Sequence, residues 1–211
     1  MTYPSRKEVI QEFRTRSLLE ATRSIIATQG FDAVTMERVA SEVGITKGGI
    51  YLYFRNKDQL ILAAIEEIAS QMFREFEKQV DRDVLPWDRL CQAIRTQMEI
   101  MERHQDLLRT LLLDRRILRD NPGGRQSRLL FKYRERHEKF LKAILDEGRR
   151  RKIFPPMDTA NAAFYVNRMA IGAAEKRMLG LSQVSLEREI QGLLRFIALL
   201  LRSNGTRSAK G

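Results

Sequence analysis

Cysteine is almost missing: Cys91 is the only one in 211 residues, so no internal disulfide can form. Histidine is nearly as scarce. With only His104 and His137 beside that cysteine, a zinc site of the usual His and Cys kinds cannot be assembled, and neither His-Glu-x-x-His nor Cys-x-x-Cys spacing occurs. Long apolar runs are absent as well. None is longer than a run such as Phe196 to Leu201, far short of the roughly 20 residues that span a bilayer. Nothing after Met1 resembles a charged segment, an apolar stretch and a cleavage site, so a cytoplasmic protein away from membranes is expected. No strand pattern is found, and hence no phosphate-cradling glycine loop behind a strand. No nucleophile stands beside a base, and no carboxylate pair stands out from helix-surface charge. These absences lead us to expect no enzyme, no metal and no cofactor beyond a small-molecule effector.

What is present is 43% hydrophobic residues, enough for a folded interior, and a net charge of +11. The charge is unevenly spread. Residues 1–60 carry nine basic and seven acidic side chains, whereas 115–152 carry fourteen basic and five acidic. A solvated basic surface is the ordinary reading of such a run, and an anionic amphipath such as an acyl-coenzyme A is the functional one.

The most informative stretch is Thr35 to Lys57. Met36, Val39, Ala40 and Val43 recur at helical spacing behind Thr35, which is placed to cap, and Gly44 is placed to end the helix. Thr46 then caps a second helix, Lys47 to Tyr53, anchored by Ile50 and Phe54 and presenting Lys47, Gly49, Tyr51 and Tyr53 elsewhere. Ala40 and Gly48 are small enough for a steep helix crossing. Asn56 and Gln59 start a third helix, whose free N–H groups and Lys57 suit a phosphate. Helix, glycine turn, helix is the DNA-binding helix-turn-helix pattern, and three packed helices without DNA are the bland alternative.

The order and spacing of Gly30-Phe31, Thr35, Val39-Ala40, Gly44, Thr46-Lys47-Gly48, Ile50-Tyr51, Tyr53-Phe54 and Lys57 resemble the DNA-binding domain of the tetracycline-repressor-type (TetR) family. Two departures stand out. Arg38 sits where an acid would complete the first capping box, and Gly49 follows Gly48 where Thr or Ala is common, at about 1 kcal/mol of helix propensity per glycine. The resemblance implies a dimeric, ligand-responsive transcriptional regulator, a repressor, on a palindromic double-stranded DNA operator. Thr46, Lys47, Gly48, Gly49 and Tyr51 would lie at base edges or nearby backbone, and Thr35, Tyr53 and Lys57 at phosphates.

The rest of the chain reads as helices, giving an all-α fold. Ser5 and Glu8 start the first helix, with Val9, Ile10, Phe13, Leu18, Ala21, Ile25 and Ile26 as its apolar side. A connector runs from Asn56 through Phe76, interrupted at Pro86; a helix from Asp88 passes Met101, and a shorter one spans Leu107 to Leu118. After Asn121-Pro122-Gly123-Gly124 comes a helix from Gln126 to Glu147, which Gly148 follows. Thr159 to Leu179 and Ser185 to Arg202 are expected to form a four-helix bundle with a second copy, a homodimer through 159–202.

The domain reading is therefore 1–55 for the helix-turn-helix domain, 56–203 for a helical ligand-binding and dimerisation domain, and 204–211 for a tail. The resemblance places a small molecule in the second domain. Trp87, Met98, Met101, Phe131, Tyr133, Phe140, Phe164, Tyr165 and Met169 are candidate lining, with ordinary core as the default for each. Asn167 and Arg168 stand out as polar residues in a helix otherwise rich in small apolar ones. A DNA-packaging protein and a helical enzyme are the rival classes.

Overall fold

The computed structural model describes residues 5–113 and 125–201, with side chains described up to Thr110 and from Lys132 onward. The side chain of Phe131, the Asn121-Pro122-Gly123-Gly124 turn, Arg115 to Leu118 and the tail 204–211 lie outside the described residues. Nine helices and no strand occur among them: α1 (Arg6–Gln29), α2 (Met36–Glu42), α3 (Lys47–Ile50), α4 (Lys57–Gln79), α5 (Pro86–Arg103), α6 (Gln105–Leu113), α7 (Arg125–Arg150), α8 (Thr159–Met178) and α9 (Leu186–Leu201). They divide into two compact units, one drawn from 1–71 with 106–130 and the other from 72–105 with 131–211.

In the first unit, Ser5 caps α1 through a full capping box with Glu8. Leu18, Ile25 and Ile26 of α1, Val39 and Ala40 of α2, and Ile50 beyond them are buried, as are Phe31 and Phe54. The apolar side assigned to α1 is buried only in its second half. Val9, Ile10 and Phe13 are exposed, because α2 and α3 are too short to cover the first turns of a 24-residue helix.

The second unit is built on α5, which packs against α8 and α9. Pro86 does not interrupt the preceding helix, which has already ended at Gln79. It opens α5 at the first position, where its missing N–H costs nothing, and Asp88 falls inside the first turn. Leu90, Ala93, Ile94 and Met98 of α5 join Phe73, Phe76, Leu141, Leu145, Val166, Ala170 and Ile197 in one core. Charged pairs tie the helices outside it. Arg177 meets Glu102 through two bonds of 3.0 and 2.7 Å and donates to the Val184 carbonyl at 2.8 Å, and Arg95 pairs with Glu187.

Gly148 does not end its helix: α7 continues two residues past it. Lys152 then takes a left-handed conformation with φ 58°, which turns the chain so that the N–H groups of Ile153 and Phe154 both donate to the Gly148 carbonyl. Phe154 is thereby laid over Gly148.

His137 is wedged between Phe73 and Phe76, with ring centroids 4.9 and 4.6 Å away, and its Nδ1 lies 3.3 Å from the Tyr133 carbonyl. Burial pushes its pKa from 6.5 down to about 4. Above pH 6.5 the ring is neutral whether the chain is folded or not. Between 6.5 and about 4 only the unfolded chain takes up the proton, so stability falls as pH drops through that window. Comparing urea midpoints at pH 7 and 4.5 tests this: His137→Phe should show a smaller loss than the parent, and an equal loss would refute the assignment.

Candidate nucleic-acid interface and effector region

The interface is assembled by caps. Thr35 Oγ accepts from the N–H of Arg38 at 3.1 Å and starts α2. At its end, Gly44 adopts φ +69°, its N–H donating to Ser41 and that of Ile45 to Ala40, the paired bonds of a Schellman turn. Arg14 of α1 reaches the Val43 carbonyl at 3.4 Å and braces that turn. Thr46 then accepts from the N–H of Gly49 at 3.0 Å and starts α3. Both threonines use oxygen lone pairs for capping, so each retains its hydroxyl hydrogen for another acceptor.

α3 is shorter than the sequence suggested. After Ile50 the bonds tighten to three-residue spacing, Tyr51 to Gly48, Leu52 to Gly49 and Tyr53 to Ile50, and Tyr51 to Tyr53 form a turn instead of helix. Two adjacent glycines give α-helix little propensity, and the anchors Ile50 and Phe54 hold position through either geometry. Gly48 is not the residue that permits the crossing of α2 and α3. A Cβ there would meet nothing within 4 Å, whereas one on Gly49 would lie 3.2 Å from Thr46 Oγ1.

Thr35, Thr46, Lys47, Gly48 and Tyr51 are exposed, while Gly49, Tyr53 and Lys57 are half-buried. Lys47 Nζ lies 3.3 Å from Glu37, a surface pair between α2 and α3. Asn56 accepts from the Gln59 N–H at 2.9 Å, but Gln59 returns its bond to the N–H of Arg55 instead of Asn56, leaving Lys57 as the first residue of α4. Leu52 was missed. At 82% exposed it is the most exposed of the large apolar side chains on the described surface, and its position opposite Ile50 and Phe54 was the available signal.

The proposed effector residues do not form one wall. Met98 is core, Trp87 packs edge-on to Phe154 at 6.4 Å, and Phe140 packs edge-on to Phe76 at 4.9 Å. Met101, Tyr133 and Met169 are half-buried, whereas Phe164 and Tyr165 face outward as an edge-to-face pair. Asn167 is fully buried. Its Nδ2 donates to Glu138 at 3.3 Å and its Oδ1 accepts from Gln97 Nε2 at 2.8 Å. Arg168 is half-buried, with its guanidinium 5.6 Å from the Phe164 ring. Burial first, and then the positive charge of Arg168, push the pKa of Arg134 down, opposed by Glu138 and Glu175. Gln97 is the residue sequence reading overlooked here. It interrupts the apolar stripe Leu90, Ile94, Met101 of α5, and its buried Oε1 has no hydrogen-bond partner among the described residues.

The described residues are helical, with a capped helix-turn-helix near the N-terminus. Residues 18–64 match the family described as bacterial regulatory proteins, tetR family. It is 32% identical over 112 residues to the HTH-type transcriptional regulator YerO of Bacillus subtilis, covering 52% of this chain and 38% of that one. It is 30% identical over 112 residues to the HTH-type transcriptional repressor AcnR of Corynebacterium diphtheriae, covering 53% and 54%. The chain thus spans 38% to 54% of the length of these curated relatives. Among solved structures, a TetR transcription regulator from Haloarcula marismortui superposes with a TM-score of 0.78 at 19% identity, over 90% of this chain and all of that one, which establishes the fold. These relatives are named as regulators of transcription, not as enzymes.

Proposed function

We propose that the protein is a ligand-responsive transcriptional regulator, a repressor that binds a palindromic operator as a homodimer and is released by a small molecule. The observation that carries this reading is the exposed face of Lys47, Gly48, Tyr51 and Leu52 on a fully capped helix-turn-helix. Selecting DNA from a random pool tests it. A palindromic consensus, with half-sites about 34–36 Å apart or a multiple of that, supports the regulator, and binding without consensus supports a packaging protein.

Second-copy contact is assigned to α8 and α9, where Tyr165, Phe196, Leu199 and Leu200 are exposed. Lys57 is assigned to a phosphate. Lys57→Ala should weaken binding to all sequences alike and reduce the salt slope by about one. Anisotropy titrations at four salt concentrations read this directly, and a changed sequence preference at constant slope would contradict it.

The effector is assigned to the second unit, its polar end at Gln97, Asn167 and Arg168. An N–H or O–H of the ligand would satisfy Gln97 Oε1. An acyl-coenzyme A is the first class to test, since the described part of the basic segment includes an open groove of about 440 Å3 lined by Lys142, Ala143, Asp146, Arg149 and Arg150. Much of that charge is already paired. Lys142 and Arg149 both meet Asp146, at 2.6 and 3.5 Å. Operator affinity unchanged by acyl-coenzyme A would end that assignment.

A further inference from the structure

Ile50 is 0% and Phe54 6% exposed, so these two fix which way the segment 48–54 faces. Gly48 lies two residues before Ile50, and Leu52 lies midway between Ile50 and Phe54, so both are turned away from those anchors. The structure agrees: Gly48 is exposed with open space where a Cβ would stand, and Leu52 is 82% exposed beside Tyr51 at 48%. The centre of the outward face is thus a bare backbone step next to an isobutyl group. Polar groups flank it: the Tyr51 phenol, Thr46 bonded to Gly49, and Lys47 drawn toward Glu37.

A leucine this exposed loses nothing by leaving water and has no hydrogen-bonding atom with which to read a base edge. In the major groove one apolar group is available to it, the C5-methyl of thymine. The absent side chain at Gly48 matters as much. It removes the atoms that would hold the helix off the groove floor, so a short residue can reach a methyl.

We infer that Leu52 is a specificity-determining residue that reads thymine by its methyl group, with Gly48 providing the close approach. This rests on the DNA-binding reading above. It commits the operator to a thymine in each half-site at the position facing Leu52, and it makes discrimination there a matter of apolar contact. Lys47 and Tyr51 serve neighbouring positions.

The test uses the full chain and its selected consensus. Each thymine is replaced in turn by deoxyuridine, which lacks only the methyl, and affinity is measured by anisotropy for the parent and for Leu52→Ala. At one thymine per half-site the parent should lose about three- to fivefold, the worth of one methyl removed from contact. Leu52→Ala should bind the thymine and uracil operators equally, while its melting temperature stays that of the parent because the side chain is exposed. Leu52→Met, which retains an apolar reach, should keep the sensitivity.

Failure to select any consensus would overturn the regulator reading itself. A consensus with no uracil-sensitive thymine, or with sensitivity that survives in Leu52→Ala, would overturn the assignment to Leu52 alone. A change in oligomeric state of Leu52→Ala on light scattering, with its thymine preference intact, would make Leu52 a protein contact and would equally overturn it.

Discussion

Gly148→Ala should destabilise the second unit by about 3 kcal/mol, although glycine to alanine within a helix ordinarily stabilises by about 0.5–1 kcal/mol. The sign reverses because of one neighbour. A Cβ on Gly148 would stand 2.1 and 2.2 Å from Cδ2 and Cε2 of Phe154, distances that no rotamer of alanine can relieve. The ring would have to leave, yet it is 4% exposed and packed edge-on to Trp87. The backbone holds it there as well, since Ile153 and Phe154 both donate to the Gly148 carbonyl, at 2.8 and 3.2 Å. For a chain of this length the loss corresponds to a fall in melting temperature of roughly 6–12 °C. The double-mutant cycle makes the cause identifiable. In a Phe154→Ala background, itself destabilised by about 3–5 kcal/mol, adding Gly148→Ala should cost nothing further or restore a little. Equal costs in both backgrounds would show that the clash is not the cause.

Local features were legible in the sequence, and contacts made by distant residues were not. Caps were readable because they are local: Ser5, Thr35, Thr46 and Asn56 each accept from an N–H three residues on, and Gly44 takes the left-handed conformation its position demanded. Local pattern ends the helix at Glu147 and places Gly148 just after it, whereas the helix continues to Arg150. The role of Gly148 depends on Phe154 folding back across it, a contact created by the left-handed turn at Lys152 that no helical pattern announces. Burial of α1 failed in a related way. Val9, Ile10 and Phe13 have helical spacing, but spacing fixes a face and does not say whether a neighbour is long enough to cover it.

The interface shows the same division. Thr46 and the anchors Ile50 and Phe54 followed from spacing, whereas the tightened turn at 51–53 depended on how two glycines share weak helical propensity with a fixed anchor. Leu52 was passed over because leucine reads by default as core, and only the opposite placement of Ile50 and Phe54 sets it outside. Asn167 was noticed as a polar residue in an apolar helix. Its partners could not be, because Gln97 and Glu138 come from two other helices, 70 and 29 residues away.

Glu138 can only accept when ionised, so the Asn167 amide must turn its Nδ2 toward it and its Oδ1 toward Gln97. Gln97 in turn must offer Nε2, which leaves its Oε1 as the unpaired end of an oriented chain. Asn167→Leu would strand the whole Gln97 amide, whose residue is only 6% exposed, and an unmade buried bond costs about 1–3 kcal/mol per group. A loss of about 3 kcal/mol is therefore expected in urea denaturation. Gln97→Leu alone should cost less, because it removes an unpaired acceptor while exposing only Asn167 Oδ1. Asn167→Leu with Gln97→Leu should recover most of the stability, since replacing both ends of a buried bond by apolar groups of similar size is nearly neutral. If the double variant were instead as unstable as the sum of the singles, the two amides would be acting independently, and the direction inferred from Glu138 would not govern them. If it is stable, it also supplies a folded protein without the Gln97 acceptor, in which a weakened effector response can be separated from a weakened fold.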